Sequence, residues 1–493
     1  DRASWLTALS QPPAPGKLRV ITLSTGRHPE SGLTRRGWLG LLATPWLGCR
    51  TRPAWGAAGE GAARTAGFGR AKSVLLVYTS GGQSQLDLWD PKPLAPREVR
   101  GEFDSIATSV PGTFLGEHLP QVARLADRFA LIRSMSHDDL DHGSASYLTL
   151  TGQFYPVKSS NPPPRPTDFP VLGAVLKRLN ARWQAPFPAV HVNGPVLVPE
   201  IAAPGQDGGL LGRAYEPLVL GDVSRSRVAI PCLDPLPGLT ESRVARREQL
   251  RRELDAPTPL ESPDLRLKGL REAYGRAYQL LADADARSAF DLSAESEATQ
   301  LRYGQHRSGQ ACLLARRLIE AEVPLVTVMW NHNIRGQDRN PGVTEEYGWD
   351  THNDIFDSLR DRLLPRFDQS FSALLTDLDD RGLLAETLVV CLGEFGRAPL
   401  VAAEPRFAGS SPGRKHWASV YSIVVAGAGT TPGAVHGASD RMGAYPSSGL
   451  CTPQDLCATL FWALGIDPQR HFTDLLDRPL PVSTGRPLLA LWG

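Results

Sequence analysis

An α/β fold, with a mostly parallel central sheet flanked by helices, is what three observations predict. Apolar runs rich in β-branched residues recur at residues 73–79, 129–132, 323–330, 387–392 and 420–426. They lack the polar alternation of a half-exposed strand, and that is how parallel strands buried on both faces read. Stretches of helical period lie between them, among them 118–128, 265–321, 356–381 and 453–464, and helices alternating with strands cover a sheet on both sides. The third observation is size: 493 residues with 41% hydrophobic content can bury a large core.

Taken in order, the chain first carries an address. Thr34-Arg35-Arg36-Gly37-Trp38-Leu39 precedes the apolar stretch 39–48 and the small-residue segment 54–58, the order of an export signal. The paired arginines are those of a twin-arginine signal over residues 33–66, which predicts export to the periplasm or beyond in folded form. Residues 1–32 precede that signal and the chain does not begin with Met, so they are expected to be an extension or a mis-set start. Cys49 ends Trp46-Leu47-Gly48-Cys49, a poor match to a lipid-anchoring box because of the Trp. No run approaches the ~20 apolar residues that cross a bilayer.

The α/β domain is expected over 67–493. Residues 73–79 form its first strand, and Ser80-Gly81-Gly82-Gln83-Ser84 turns away from it, either as a tight turn or as a cradle of N–H groups for an anion. Residues 118–128 carry apolar side chains at helical spacing, and a second strand, 129–132, ends near His137. The Pro-rich stretch 161–170 is an extended connection. It lies in an insertion over about 156–321 that is irregular at 185–239 and helical, with Arg/Glu-rich solvated faces, from 240 onward. The last third returns to strand and helix, and one α/β domain with an insertion fits this order better than two domains.

Charge and cysteine content narrow the function. The balance of 53 basic against 52 acidic residues gives a net charge of +1, which argues neither for nucleic acid nor for an anionic membrane. The six cysteines have no CxxC spacing; Cys312 and Cys391 read as core residues, and Cys451 and Cys457 are the one pair close enough in sequence to suggest a disulfide.

The chemistry is expected in three stretches beside the strands: Trp349-Asp350-Thr351-His352, Gly393-Glu394-Phe395-Gly396-Arg397 and Gly413-Arg414-Lys415-His416-Trp417. Ligands gather outside the carboxyl ends of strands in open α/β sheets. The first two stretches follow their strands and the third precedes its own, so His416 joins the others if its loop folds back over the sheet edge. Asp350, His352, Glu394 and His416 are thus candidate ligands for a divalent cation such as zinc, manganese or calcium. Singly, a His or Glu among 11 His and 52 acidic residues is more often a surface group; the recurrence beside strands is what singles out these four.

Those stretches, with Ser80-Gly81-Gly82, Leu86-Asp87-Leu88-Trp89-Asp90-Pro91-Lys92-Pro93, His142-Gly143-Ser144-Ala145-Ser146-Tyr147 and Leu313-Leu314-Ala315-Arg316-Arg317-Leu318 in the same order, resemble the bacterial family known as domain of unknown function 1501. The resemblance runs from Ser73 to the C-terminus. That family is counted among relatives of alkaline phosphatases and sulfatases, commonly carries twin-arginine signals and abounds in planctomycetes. It therefore implies the alkaline-phosphatase-like α/β fold. Aligned on Thr151-Gly152, the nucleophile position of those relatives falls on His142, where neither serine nor cysteine stands. Asp350, His352 and His416 match their first metal site, Glu394-Phe395 keeps a carboxylate where they have Asp-His, and Lys415 replaces the family's usual Asp.

What the resemblance implies is hydrolysis of a sulfate or phosphate ester, on a small molecule or a saccharide. Arg397, Arg414 and Lys415 would neutralise the developing charge, with His142 as base, metal ligand or nucleophile and Ser144 and Ser84 as reserve nucleophiles. The alternative is a non-catalytic exported protein that binds metal or carbohydrate on the same scaffold.

Overall fold

The computed structural model describes residues 66–179, 187–198, 200–224, 240–254, 288–331, 333–334 and 347–493. These lie in one unit, Ala58–Gly493. The export signal, Cys49 and the upstream extension fall outside them, as does 255–287 of the helical insertion.

The main sheet has eight strands: β1 Ser73–Tyr78, β2 Phe129–Met135, β3 Ala189–Val192, β4 Leu218–Leu220, β5 Leu325–Met329, β6 Thr387–Leu392, β7 Tyr421–Ala426 and β8 Val435–His436. They are ordered β8-β2-β7-β6-β1-β5-β3-β4. β1 pairs in parallel with β5 and β6, β5 with β3, β3 with β4, and β2 with β8. The exception is β7, antiparallel to both β6 and β2, where the sequence predicts a parallel strand.

The apolar runs are continuous because helices cover both faces. Along β1, Leu75 and Val77 enter one core while Val74, Leu76 and Tyr78 enter the other. The first core is closed by helices α3 Arg307–Glu320 and α4 Leu364–Asp380. The second is closed by α2 Leu172–Leu179 and α5 Pro453–Ala463. Each fully buried aliphatic side chain contributes about 1.5–3 kcal/mol relative to exposure, so the sheet is a stiff base for anything mounted at its edge. Pro453 and the reciprocal Thr452–Asp455 cap start α5. The helical period over 118–128 resolves into two single turns, Pro120–Ala123 and Ala126–Arg128. Cys312, Cys391, Cys451 and Cys457 are all buried free thiols, so the suggested 451–457 disulfide is absent.

The reversal of β7 positions the site. In the register, Tyr421 at its start lies opposite Met135 at the end of β2, and Tyr78 at the end of β1 lies opposite Leu392 at the end of β6. The loop entering β7 therefore starts from the same sheet edge as the loops leaving β1, β2 and β6. A parallel β7 would have required its entering loop to cross the sheet. Helix α1, His142–Thr151, starts over this edge, capped by Asp141.

Candidate metal centre

Glycines let the loops meet. Gly81, at φ 110°, has the Asp350 nitrogen 2.4 Å from where a Cβ would sit, and Gly82, at φ 83°, has the Phe395 ring at 2.8 Å. Any other residue at Gly81 would push away the segment that carries Asp350 and His352. A two-residue ribbon pairs Gly396–Arg397 with His416–Trp417 and sets His416 opposite Arg397.

At the centre is the carboxylate of Asp350. Its Oδ1 lies 3.3 Å from His142 Nε2, 3.1 Å from His352 Nε2 and 3.2 Å from His416 Nε2, and the last two nitrogens are 2.9 Å apart. Tetrahedral ligands held at 2.0–2.1 Å from a zinc ion stand about 3.3 Å from one another. The observed separations have that scale. Among the described residues, His142, Asp350 and His416 form a group whose ligand atoms all lie within 4.8 Å of one another.

Hydrogen bonds at the far sides of the rings assign the protons. His142 Nδ1 lies 2.6 Å from the buried Glu394 Oε1, and His416 Nδ1 lies 2.8 Å from the Leu140 carbonyl oxygen. Both partners only accept, so both Nδ1 atoms carry the hydrogen, and in the neutral rings both Nε2 lone pairs face the Asp350 oxygen. Acceptors facing acceptors repel unless a cation or a proton lies among them. His142 Nε2 is correspondingly a buried atom without a hydrogen-bond partner. His352 is clamped from outside, its ring stacked on Phe407 at 3.7 Å and 3°. The donor set thus fits a divalent ion bound through nitrogen and oxygen.

The surrounding charges agree. Burial disfavours a charged His142, yet Asp350 and Glu394 beside it raise its pKa to about 9. Against its burial, Asp350 is held well below the usual carboxylate range by His142 and Arg397. Burial, and then the charge of His142, lower His416 to about 4, and burial lowers His352. A proton on His142 and a metal ion are therefore alternatives for the same space.

Glu394 lies one layer further in than the sequence expectation of a ligand. Its Oε1 accepts from the Gly81 N–H at 2.8 Å as well as facing His142, and its Oε2 accepts from the Tyr78 hydroxyl at 3.1 Å. The glycine turn does cradle an anion, this carboxylate. Arg397 Nη2 donates to Asp350 Oδ1 at 2.6 Å and also reaches the carbonyls of Gly81 and Trp349, while its Nε and Nη1 donate to those of Gly82 and Arg414.

The remaining candidates are held elsewhere. Arg414 is buried in a bidentate pair with Asp87, at 2.8 and 3.0 Å. The Lys415 amine reaches Glu404 at 2.8 Å on the surface. Ser144 donates to Asp139 at 2.6 Å and Ser84 to Asp87 at 2.5 Å. The first-turn N–H groups of α1 are taken by Asp141, Asn161 and Ser160. Sequence reasoning missed the contributions of Tyr78, Phe407 and the Leu140 carbonyl. A hydroxyl, a ring and a backbone oxygen acting through others leave no signal in residue spacing.

An α/β sheet with a histidine–carboxylate cluster at the carboxyl edge of its parallel strands is thus the class that fold and site define. The chain belongs to the family described as protein of unknown function (DUF1501), whose model matches residues 71–491. No curated protein matches it. Among solved structures it is similar to the phosphonate monoester hydrolase SpPMH from Silicibacter pomeroyi, at 14% identity over 86% of this chain and 77% of that one, with a TM-score of 0.38. It is similar to the PsFucS1 sulfatase from Pseudoalteromonas sp., at 11% identity over 83% and 69%, with a TM-score of 0.36. The alkaline phosphatase from the Antarctic bacterium TAB5 matches at 12% identity over 73% and 92%, with a TM-score of 0.28.

Proposed function

We propose that the protein is an exported, divalent-metal-dependent hydrolase of sulfate or phosphate esters. The observation that carries this reading is the convergence of His142, His352 and His416 on the Asp350 oxygen, with the Nε2 lone pairs of His142 and His416 directed at it. Three imidazole nitrogens against one carboxylate oxygen favour zinc or manganese over calcium, which prefers oxygen ligands. A bound ion would supply a Lewis acid able to polarise a sulfuryl or phosphoryl oxygen and to lower the pKa of a water. Glu394 and the Leu140 carbonyl hold the His142 and His416 rings in orientation. Arg397 offsets the Asp350 charge from within, since its donors are turned to protein oxygens. The open side is that of His416, whose side chain is 18% exposed.

A second reading, a metal- or carbohydrate-binding exported protein without turnover, is favoured by a specific observation. Ser144 and Ser84 are both buried, and the Ser144 oxygen also accepts from the Ser160 N–H at 3.0 Å, so neither hydroxyl is presented to an ester. Metal analysis of the purified protein, with aryl sulfate and aryl phosphate screens before and after chelation, tests both readings. Turnover abolished by chelator supports the hydrolase. Stoichiometric metal without turnover supports the second reading, and protein that takes up no zinc or manganese sinks the hydrolase and the metal-binding form of the second reading.

A further inference from the structure

The carboxyl end of β2 and the amino end of α5 enclose a cleft of about 430 Å³ lined by Ser136, His137, Phe154, Thr452, Gln454 and Thr484. That volume is within the range of small-ligand sites. Its chemistry is specific. The hydroxyls of Ser136 and Thr484 and the amide of Gln454 make no hydrogen bond to another described residue, so three donor–acceptor groups on the lining are free to pair with a ligand. Phe154 is 38% exposed and adds an aromatic surface, with the Lys158 amine over its ring at 3.9 Å. The carboxylate of Asp455, also on the lining, is engaged by Thr452 and by the Arg486 N–H. Among the described residues no lysine or arginine lines the space, and the amine of Lys158 beside Phe154 is paired with Asp138 at 2.6 Å. A phosphate or sulfate would find no unpaired cation on the described lining and would meet the charge of Asp455.

We propose that this cleft binds a neutral saccharide unit. Sugar hydroxyls both donate and accept, as do the side chains of Ser136, Thr484 and Gln454, and a sugar's C–H face packs against an aromatic ring. The cleft adjoins the metal centre through one residue. His137 Nδ1 accepts from the Asp139 N–H at 3.1 Å, so its Nε2 carries the hydrogen and donates to the Glu394 carbonyl oxygen at 2.7 Å. Glu394 in turn holds His142. A saccharide lying against His137 is thus next to the strut that orients a candidate metal ligand, although the site itself needs no metal.

The test uses the purified chain after treatment with chelator, so that its outcome is separate from that of the proposed hydrolysis. Cellobiose, maltose, lactose and xylobiose are titrated by calorimetry and saturation-transfer NMR, beside glucose 6-sulfate as the anionic probe. At least one neutral disaccharide is expected to bind saturably, and no more weakly than glucose 6-sulfate. Phe154→Ala should weaken it about tenfold or more, and Gln454→Ala and Thr484→Val about three- to fivefold each, the scale of one hydrogen bond. These side chains are at least partly exposed, and thermal melting checks that the variants remain folded. No saturable binding of any of the four disaccharides, binding of the sulfated sugar alone, or affinity unchanged in both Phe154→Ala and Gln454→Ala would overturn the proposal.

Discussion

Replacing Glu394 with Gln separates the orientation of a metal ligand from its presence. Glu394 is fully buried, and its two oxygens face His142 Nδ1 at 2.6 Å, the Gly81 N–H at 2.8 Å and the Tyr78 hydroxyl at 3.1 Å. Gln keeps the shape and one acceptor oxygen, which can still serve His142 and Gly81. Its NH2 group would face the Tyr78 hydroxyl, which can accept while donating to Ser146, 2.7 Å away. The fold therefore has no reason to fail. What is lost is the carboxylate charge that makes the His142 Nε2 a stronger donor to a metal. Removing such a partner typically costs 10–100-fold in metal affinity, or about 1.4–2.7 kcal/mol. Competition against a chromogenic chelator at fixed pH measures the change directly, with circular dichroism confirming the fold. Unchanged zinc and manganese affinity in folded Glu394→Gln protein would refute the reasoning, because His142 could not then be a ligand held by Glu394.

Gly81→Ala is expected to lower both the melting temperature and the metal affinity, since the new Cβ would meet the Asp350 nitrogen at 2.4 Å on a backbone at φ 110°; equal affinity by the same competition would contradict this. Lys415→Asp should leave metal affinity within about twofold of the parent, because the amine it removes is engaged by Glu404 at the surface and second-sphere effects on a metal, tenfold or more, need a partner of a ligand. His191, wholly buried in β3, has its pKa lowered by burial from 6.5 to about 4. Its neutral form is the folded one, so the stability it permits is complete above pH 6.5 and is lost as pH falls toward 4, by up to about 3 kcal/mol. Urea denaturation of His191→Gln across that window should show a shallower loss than the parent, by close to one proton.

How much of this could be read from sequence depends on which physical signal each feature leaves. The strands β1, β5 and β6 were legible because burial on both faces writes an unbroken apolar run. The direction of β7 was not, since a strand buried on both faces has the same composition whichever way it runs. Because direction decides which edge a loop leaves from, the route of His416 was read as a fold-back when the chain simply enters an antiparallel strand. The candidate ligands could be named from residue type and position beside strands. Their layering could not: whether Glu394 or His142 stands nearer the centre depends on differences of a few ångströms set by the Gly81 turn. Lys415 departs from the family's pattern, yet it stands just before the His416–Trp417 ribbon and its amine pairs with Glu404 at the surface.

Metal identity and function are one question at this site. Hydrolytic zinc sites generally use three protein ligands and keep a fourth position open, whereas structural zinc sites are closed by four. His142, Asp350 and His416 form the compact group, and His352, 3.1 Å from Asp350 Oδ1 and 2.9 Å from His416 Nε2, is the further donor in reach; a tetrahedral zinc held by all four would have no position left for an ester oxygen. An ion that accepts six ligands, as manganese does in oxygen-rich sites, would keep the same four and still have two positions free. The exposed flank of His416 is where they would open, because His142 is backed by Glu394 and His352 by Phe407. The protein part of the centre is therefore compatible with a closed, non-catalytic zinc site and with an open manganese site. The coordination number of the ion that fills it, more than the absence of a serine or cysteine nucleophile, separates the hydrolase from the binder.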